Sequence, residues 1–221
     1  MIEPALTADT YLARLQTELA RIDVQKMECW ADLIYRAWRD DRSVFIFGNG
    51  GSGATASHMS EDLGCLASTC TPATRRLKVM SLTDNVGWIL AVANDSAFDQ
   101  IFVQQLMNFA RADDLVIAIS GSGNSPNVLN AVDWANRNGL NTFGLTGYDG
   151  GSLKRIQRDG LHVDLDDMGM VESIHLSLFH WVLESLYSRI VAADNGDANS
   201  HTIPTRHSGA PSNGTPQQTF G

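Results

Sequence analysis

The chain has 221 residues, enough for one α/β domain with a full hydrophobic core, and 43% of them are hydrophobic, as in an ordinary globular protein. A formal net charge of −9 excludes a large nucleic-acid surface, which would need basic patches against the phosphate backbone. Three cysteines without a CxxC pair read as free thiols in a reducing compartment; the N-terminus has no secretion signal and no apolar run approaches a membrane span, so a soluble cytoplasmic protein with no membrane partner is expected.

In chain order, the first forty residues predict two helices. Leu12, Leu15, Leu19 and Ile22 recur at helical spacing, and Trp30, Ile34 and Trp38 form an i, i+4, i+8 ridge in the second segment. A hairpin this apolar must pack, either on its own domain or on another subunit. From residue 41 to about 192 short β-rich runs then alternate with helical stretches: "SVFIF" and a helix over 53–65; "LKVMSLT" and 85–93; "DLVIAIS" and 125–138; "NTFGLT" and a short helix near 151–157; "LHVDL" and 171–190. "VFIF" and "LVIAI" are apolar throughout, as in strands covered on both faces. The alternation predicts a doubly wound parallel sheet of five strands, with ligands at the carboxyl ends of the strands. From residue 193 to 221 the composition turns to Gly, Pro, Ser, Asn and Thr with almost no apolar residues, which predicts a disordered tail that holds His201 and His207 in solvent.

The motifs lie where the strands end. "VFIFGNGGSG" places Gly48, Gly50 and Gly53 in the G-x-G-x-x-G spacing of a dinucleotide loop, but no Asp or Glu lies between Leu63 and Thr83 to hold a ribose. The loop is therefore read as an anion cradle rather than a nucleotide-cofactor site, with Asn49 and Ser52 adding side-chain donors. A second cradle follows "DLVIAI", where Ser120, Ser122, Asn124 and Ser125 crowd a turn, with Ser125 and Pro126 supplying an N-cap and a proline at N1. A third turn, "LTGYDGG", carries Thr146 and Gly147; none of the three has a Walker lysine.

"GNGGS", "ISGSGNS" and "GLTGYDGG", in this order and followed by "VESIHLSLFH", resemble the sugar isomerase (SIS) domain, with the closest agreement among the phosphoheptose isomerases, over the whole chain except its tail. The resemblance implies a flavodoxin-like sheet. It also implies a homotetramer built partly by the N-terminal hairpin, with active sites shared between subunits. The implied activity is conversion of sedoheptulose 7-phosphate to an aldoheptose 7-phosphate through an enediol. Substrate contacts are implied at Asn49, Gly50, Gly51, Ser52, Asn94, Asp95, Ser120, Gly121, Ser122, Ser125 and Glu172.

Ketose–aldose isomerisation needs a base near carbon, an acid near the oxygens and an anchor for the phosphate. The family's catalytic glutamate falls on Asp62 in "ATASHMSEDLG", with Glu61 as a reserve base, and its catalytic histidine falls on His180. Aspartate sets its carboxylate roughly 1.5 Å further back than glutamate, a displacement that matters to proton transfer. Some relatives hold zinc, and the corresponding set is His58, Asp62, Glu172 and His180, donor types that suit Zn²⁺, with Glu172 standing where the family has glutamine. The chain also lacks the family's arginine after the acidic pair and has Gly169 in place of an aspartate. Two competing readings follow: a non-catalytic tetrameric adaptor of the kind that binds the replication initiator DnaA, and a phosphosugar sensor.

Overall fold

The structure is a computed structural model and describes residues 7–66 and 75–194. The sequence-predicted tail from residue 195 on, Cys70 and both tail histidines lie outside the described residues, whereas residues 193 and 194, expected in the tail, end the last helix. Two helices, α1 (Ala8–Leu19) and α2 (Val24–Arg39), precede β1 (Ser43–Gly48) and α3 (Gly50–Leu66). The chain continues through β2 (Lys78–Ser81), α4 (Val86–Asp95), a 3-10 turn (Phe98–Gln100), α5 (Val103–Phe109), β3 (Leu115–Ser120) and α6 (Pro126–Arg137). It ends with β4 (Asn141–Thr146), α7 (Leu153–Ile156), β5 (Asp159–His162) and α8 (Met168–Asp194). The five strands are all parallel in the order β2-β1-β3-β4-β5, the flavodoxin-like order.

Alternation along the central strands divides the core in two. Val44 and Ile46 of β1 and Leu115, Ile117 and Ile119 of β3 face α2, α3 and α8; Phe45, Phe47, Val116 and Ala118 face α4, α5 and α6. Both faces are covered, which is why the strands read as continuous apolar runs. The Trp30–Ile34–Trp38 ridge is buried in the first of these cores, with Trp30 stacked on Phe143 at 5.5 Å between ring centroids. Thus α2 is part of the chain's own domain, while α1 packs with half-buried Leu15 and Leu19, followed by half-buried Ile22 in the turn, and leaves Leu12 60% exposed.

Two expectations of the chain-order reading need correction. The last strand runs over Asp159–His162, earlier than "LHVDL", because Gly160 pairs with Gly144 and the two bare glycines make room for the Gln157 side chain. A β-carbon at Gly144 would stand 1.7 Å from Gln157 Oε1. The 3-10 turn and α5 were not expected at all: Ile101, Phe102 and Leu106 bury one face of this segment, and Gln105, fully buried, donates to the carbonyls of Leu82 and Ile101.

Arg75, Arg76 and Lys78 form a local basic cluster at the start of β2, and two of the three are engaged: Arg75 lies over the Trp38 ring and Lys78 pairs with Asp41. Cys29 donates its thiol proton to Asp159, and burial together with this bond pushes its pKa up to about 11, so the thiol stays protonated. Among the described residues no helix is long and apolar enough to cross a membrane.

Candidate active site

The sheet order reverses between β1 and β3, and the glycine loop and the serine loop leave the carboxyl ends of these two adjacent strands, where Gly48 pairs with Ile119. At the glycine loop, α3 begins at once with Gly50 in a left-handed conformation (φ 53°), which glycine adopts without strain. Gly51 is needed for a different reason. The carboxylate of Glu172 lies over it, and a β-carbon there would stand 2.4 Å from Glu172 Oε1. Ser52 is buried, and the Asn49 side chain exchanges two amide hydrogen bonds with Asn127 on α6.

The serine loop is wired from within and from beneath. Ser120, 4% exposed, donates its hydroxyl to Ser125 Oγ at 3.3 Å, and the Gly123 N–H donates to the Ser120 carbonyl. Ser125 holds the N-cap position of α6 with Pro126 at N1, but its hydroxyl makes no capping bond and points to Ser120 instead. Asn124 is structural: its amide donates to the Ser122 carbonyl and accepts from the Ser152 N–H at the start of α7. Ser122 is exposed, and Gly121 is roofed by the Met168 thioether and accepts from the Gly147 N–H. In the third turn, the Thr146 hydroxyl meets His162 Nδ1 at 3.0 Å, inside the protein, so it is not a ligand donor.

α3 and α8 lie side by side and run the same way: Gly51 is against Glu172, and seven residues later His58 is against His180. His58 Nε2 lies 3.2 Å from Asp62 Oδ2, one turn along the same helix, and the His58 and His180 rings meet edge-on at 5.5 Å, with Phe179 flanking both. The ligand atoms of His58, Asp62 and His180 lie within 4.8 Å of one another. The structure therefore brings together three of the four residues of the sequence-predicted metal set. Glu172 is absent from this group, because eight residues of helix carry it about 12 Å away along the axis, to the glycine loop. Glu61 is exposed on α3 and is also outside the group.

Asn94 and Asp95 end α4, in the layer on the opposite face of the sheet from α3 and α8; both are exposed, and Asn94 donates to Asp95. Within one chain nothing connects them to the His58 group among the described contacts. Two further residues organise the site: one gave no signal in the sequence, and one was expected only to point near Glu172 and His180. One is Asn127, whose role only the fold reveals. The other is His175, fully buried on α8, whose Nε2 lies 3.3 Å from the Thr146 carbonyl at the end of β4. A carbonyl accepts only, so Nε2 carries the proton there. Burial dominates its environment and lowers its pKa to about 4. His162 is shifted the same way, chiefly by burial and then by Lys154.

Comparison with known proteins agrees with this architecture. Residues 10–147 match the SIS domain family. Phosphoheptose isomerase of Chlorobaculum parvum is 33% identical over 187 residues, covering 80% of this chain and 85% of that one. Among solved structures, phosphoheptose isomerase GmhA of Neisseria gonorrhoeae superimposes with a TM-score of 0.73 at 29% identity, covering 80% of this chain and 92% of that one. A phosphoheptose isomerase of Francisella tularensis gives 0.74 at 26% identity, with 81% and 96% covered. Two loops at the switch point of a five-stranded parallel sheet, a histidine–carboxylate group between α3 and α8, and relatives matched over nearly their full length lead to one conclusion: the chain belongs to the SIS domain family, among the phosphoheptose isomerases.

Proposed function

We propose that the protein interconverts sedoheptulose 7-phosphate and an aldoheptose 7-phosphate through an enediol, with the phosphate at the serine loop and the reacting carbons beside Asp62 and His180. The observation that carries this reading is the division of the cleft along α3 and α8. Hydroxyl, amide and backbone donors gather at the loop end, with the Glu172 carboxylate over Gly51, and the His58–Asp62–His180 group lies about 12 Å further along the helices. An extended seven-carbon chain with its phosphate spans on the order of 10 Å by ordinary bond lengths, which matches that separation.

In this reading Asp62 takes a proton from C1 of the ketose while His180 gives one to the carbonyl oxygen at C2; the enediol then loses its O1 proton and gains one at C2. His58, 3.2 Å from Asp62, orients the carboxylate. Ser120, Ser122 and Ser125 with the Gly121 backbone hold the phosphate, as Asn49, Gly50, Gly51 and Ser52 do from the facing loop. Glu172 accepts from sugar hydroxyls near Gly51. The shorter aspartate is served by its pairing with His58 and its closeness to His180, which keep the carboxylate within the group.

Two imidazoles and a carboxylate within 4.8 Å of one another also fit a divalent ion such as Zn²⁺ with an open position. Such an ion would supply Lewis-acid polarisation of the sugar carbonyl. Elemental analysis of freshly purified protein that finds no metal above background removes the ion and leaves Asp62 as base alone. A homotetramer belongs to the same reading. Asn94 and Asp95 would complete the site of a neighbouring copy, and the exposed Leu12, Val86, Leu90 and Phe98 offer apolar surface for assembly. Light scattering of the purified chain checks this.

Incubation with sedoheptulose 7-phosphate, with and without Zn²⁺, and assay of the aldose formed tests the activity. Aldose formation that is abolished in Asp62→Ala and His180→Ala is expected. No turnover, together with rates unaltered in the variants, contradicts the assignment.

A further inference from the structure

The two anion loops are separate excursions of the chain, and strand pairing ends with Gly48 and Ile119 just before they leave the sheet. Beyond that point they are joined by one side-chain pair. Asn49 Nδ2 donates to Asn127 Oδ1 at 2.9 Å, and Asn127 Nδ2 donates to Asn49 Oδ1 at 2.8 Å, across 78 positions of sequence. Asn127 is 1% exposed and stands one residue after the proline that opens α6. Its oxygen also accepts the Val128 backbone N–H at 2.9 Å.

That third bond fixes the direction of the whole pair. Only an oxygen can face the Val128 N–H, so the Asn127 amide has one orientation, and the complementary orientation is imposed on Asn49. Each amide has two donor hydrogens and two acceptor lone pairs, and the clasp uses one donor and one acceptor of Asn49. One N–H and one lone pair of Asn49 therefore remain for the cleft, aimed by its partner.

We propose that Asn127 is a positioning residue of the phosphosugar site, acting through Asn49: it holds the glycine loop at a fixed distance from the serine loop and sets which atoms of Asn49 meet the ligand. The inference rests on the phosphosugar reading of the cleft. It predicts that Asn127 governs affinity rather than the proton-transfer step, because it contacts neither Asp62 nor His180 and lies at the loop end of the site. It further predicts that Asn49 and Asn127 act as one unit. A buried amide deprived of its partner loses the bond and leaves the other group unsatisfied, so either single change should cost what both together cost.

The test is a double-mutant cycle on the full chain with Asn127→Ala, Asn49→Ala and the double variant. Calorimetry measures binding of sedoheptulose 7-phosphate and of inorganic phosphate, and steady-state kinetics gives kcat and KM. Each single variant is expected to weaken binding of sedoheptulose 7-phosphate and raise KM by about tenfold, with kcat changed less than about twofold and the double variant no worse than the singles. Asn127→Asp keeps the acceptor for Val128 but loses the donor to Asn49, and it should weaken binding as much as alanine does. If Asn127→Ala does not fold, Asn49→Ala and Asn127→Asp carry the same comparison.

Unchanged binding in the folded Asn127 variants, effects that multiply in the double variant, or a kcat loss equal to the KM change overturns the proposal. Turnover by the wild-type chain with unaffected variants would remove the clasp and leave the isomerase reading standing. A wild type that binds the phosphosugar without turning it over, with binding weakened in the variants, would keep the clasp and remove the isomerase reading. A wild type that binds neither ligand removes both.

Discussion

The two ends of the cleft are built in different ways. Apart from the Glu172 carboxylate over Gly51, the loop end is made of backbone and short neutral side chains, and many of its polar groups are held by another: Ser120 by Ser125, Asn124 by Ser152, Asn49 by Asn127. The helix end is made of three ionisable side chains held by their places on two helices, with one polar contact between them, His58 to Asp62. His58 and Asp62 are 43% and 30% exposed in their side chains, whereas Ser120 and Asn127 are buried. The difference teaches that the anion site is preorganised by the fold, while the chemical end depends on residue identity, so the two should respond to mutation along different kinetic axes.

The largest effect should come from the helix end. Asp62→Ala or His180→Ala should lower kcat by roughly 10²- to 10⁴-fold, the usual range for a general acid or base, with KM moved only a fewfold. Steady-state assays read this split directly, and a large KM change with little loss of kcat would erase the contrast between the two ends. The next effect falls on His175, which ties α8 to the end of β4 and so joins them. Its folded-state pKa of about 4 lies below the unfolded value of 6.5, so the unfolded chain binds the extra proton. Its contribution to stability is fully present above pH 6.5 and is lost as pH falls toward 4. Denaturant unfolding should show about 2 kcal/mol less stability from this group at pH 5 than at pH 7, and His175→Gln, which keeps a donor without the titration, should flatten that slope.

The loop end should show smaller changes of the opposite kind. Ser120→Ala and Ser125→Ala each remove a neutral hydroxyl donor and should raise KM about five- to tenfold while kcat stays within twofold. The smallest change is expected for Glu172→Gln. Removing a negative charge beside the glycine loop should lower KM by about two- to threefold, because an anionic ligand is then less repelled, and the effect should shrink with added salt. A collapse of kcat in Glu172→Gln would place this carboxylate in the chemistry and move the boundary between the two ends.

How far the sequence could be read follows from the same physics. The three loops were legible because glycine, serine and asparagine clusters follow apolar runs, a pattern that buried parallel strands leave behind. The reversal of strand order was legible only through the resemblance, since no local pattern records which strands are neighbours. The pairing of α3 with α8 lies beyond local periodicity for the same reason. Glu172 was grouped with His180 through the resemblance, and positions eight apart do share a helix face; sharing a face says nothing of the distance along the axis, and within one chain that distance removes Glu172 from the His58 group. Asn127 gave no signal, because an asparagine after a helix-opening proline is an ordinary cap neighbour until the fold places Asn49 opposite it. In α5, Gln104 and Gln105 interrupt the apolar pattern, and Gln105 is buried only because Leu82 and Ile101 offer it carbonyls. The burial of His175 was likewise hidden, since its spacing from Glu172 and His180 places it on the same helix but does not give its depth.

The most direct test is the fate of the transferred proton. With sedoheptulose 7-phosphate in D₂O, the wild-type chain should form aldoheptose 7-phosphate that carries deuterium at C2 to the extent that the proton held on the partly exposed base exchanges with solvent before its return. Asp62→Asn should lose both turnover and deuterium incorporation, and Ser120→Ala at saturating substrate should keep both. Undiminished turnover and undiminished incorporation in Asp62→Asn would contradict the account.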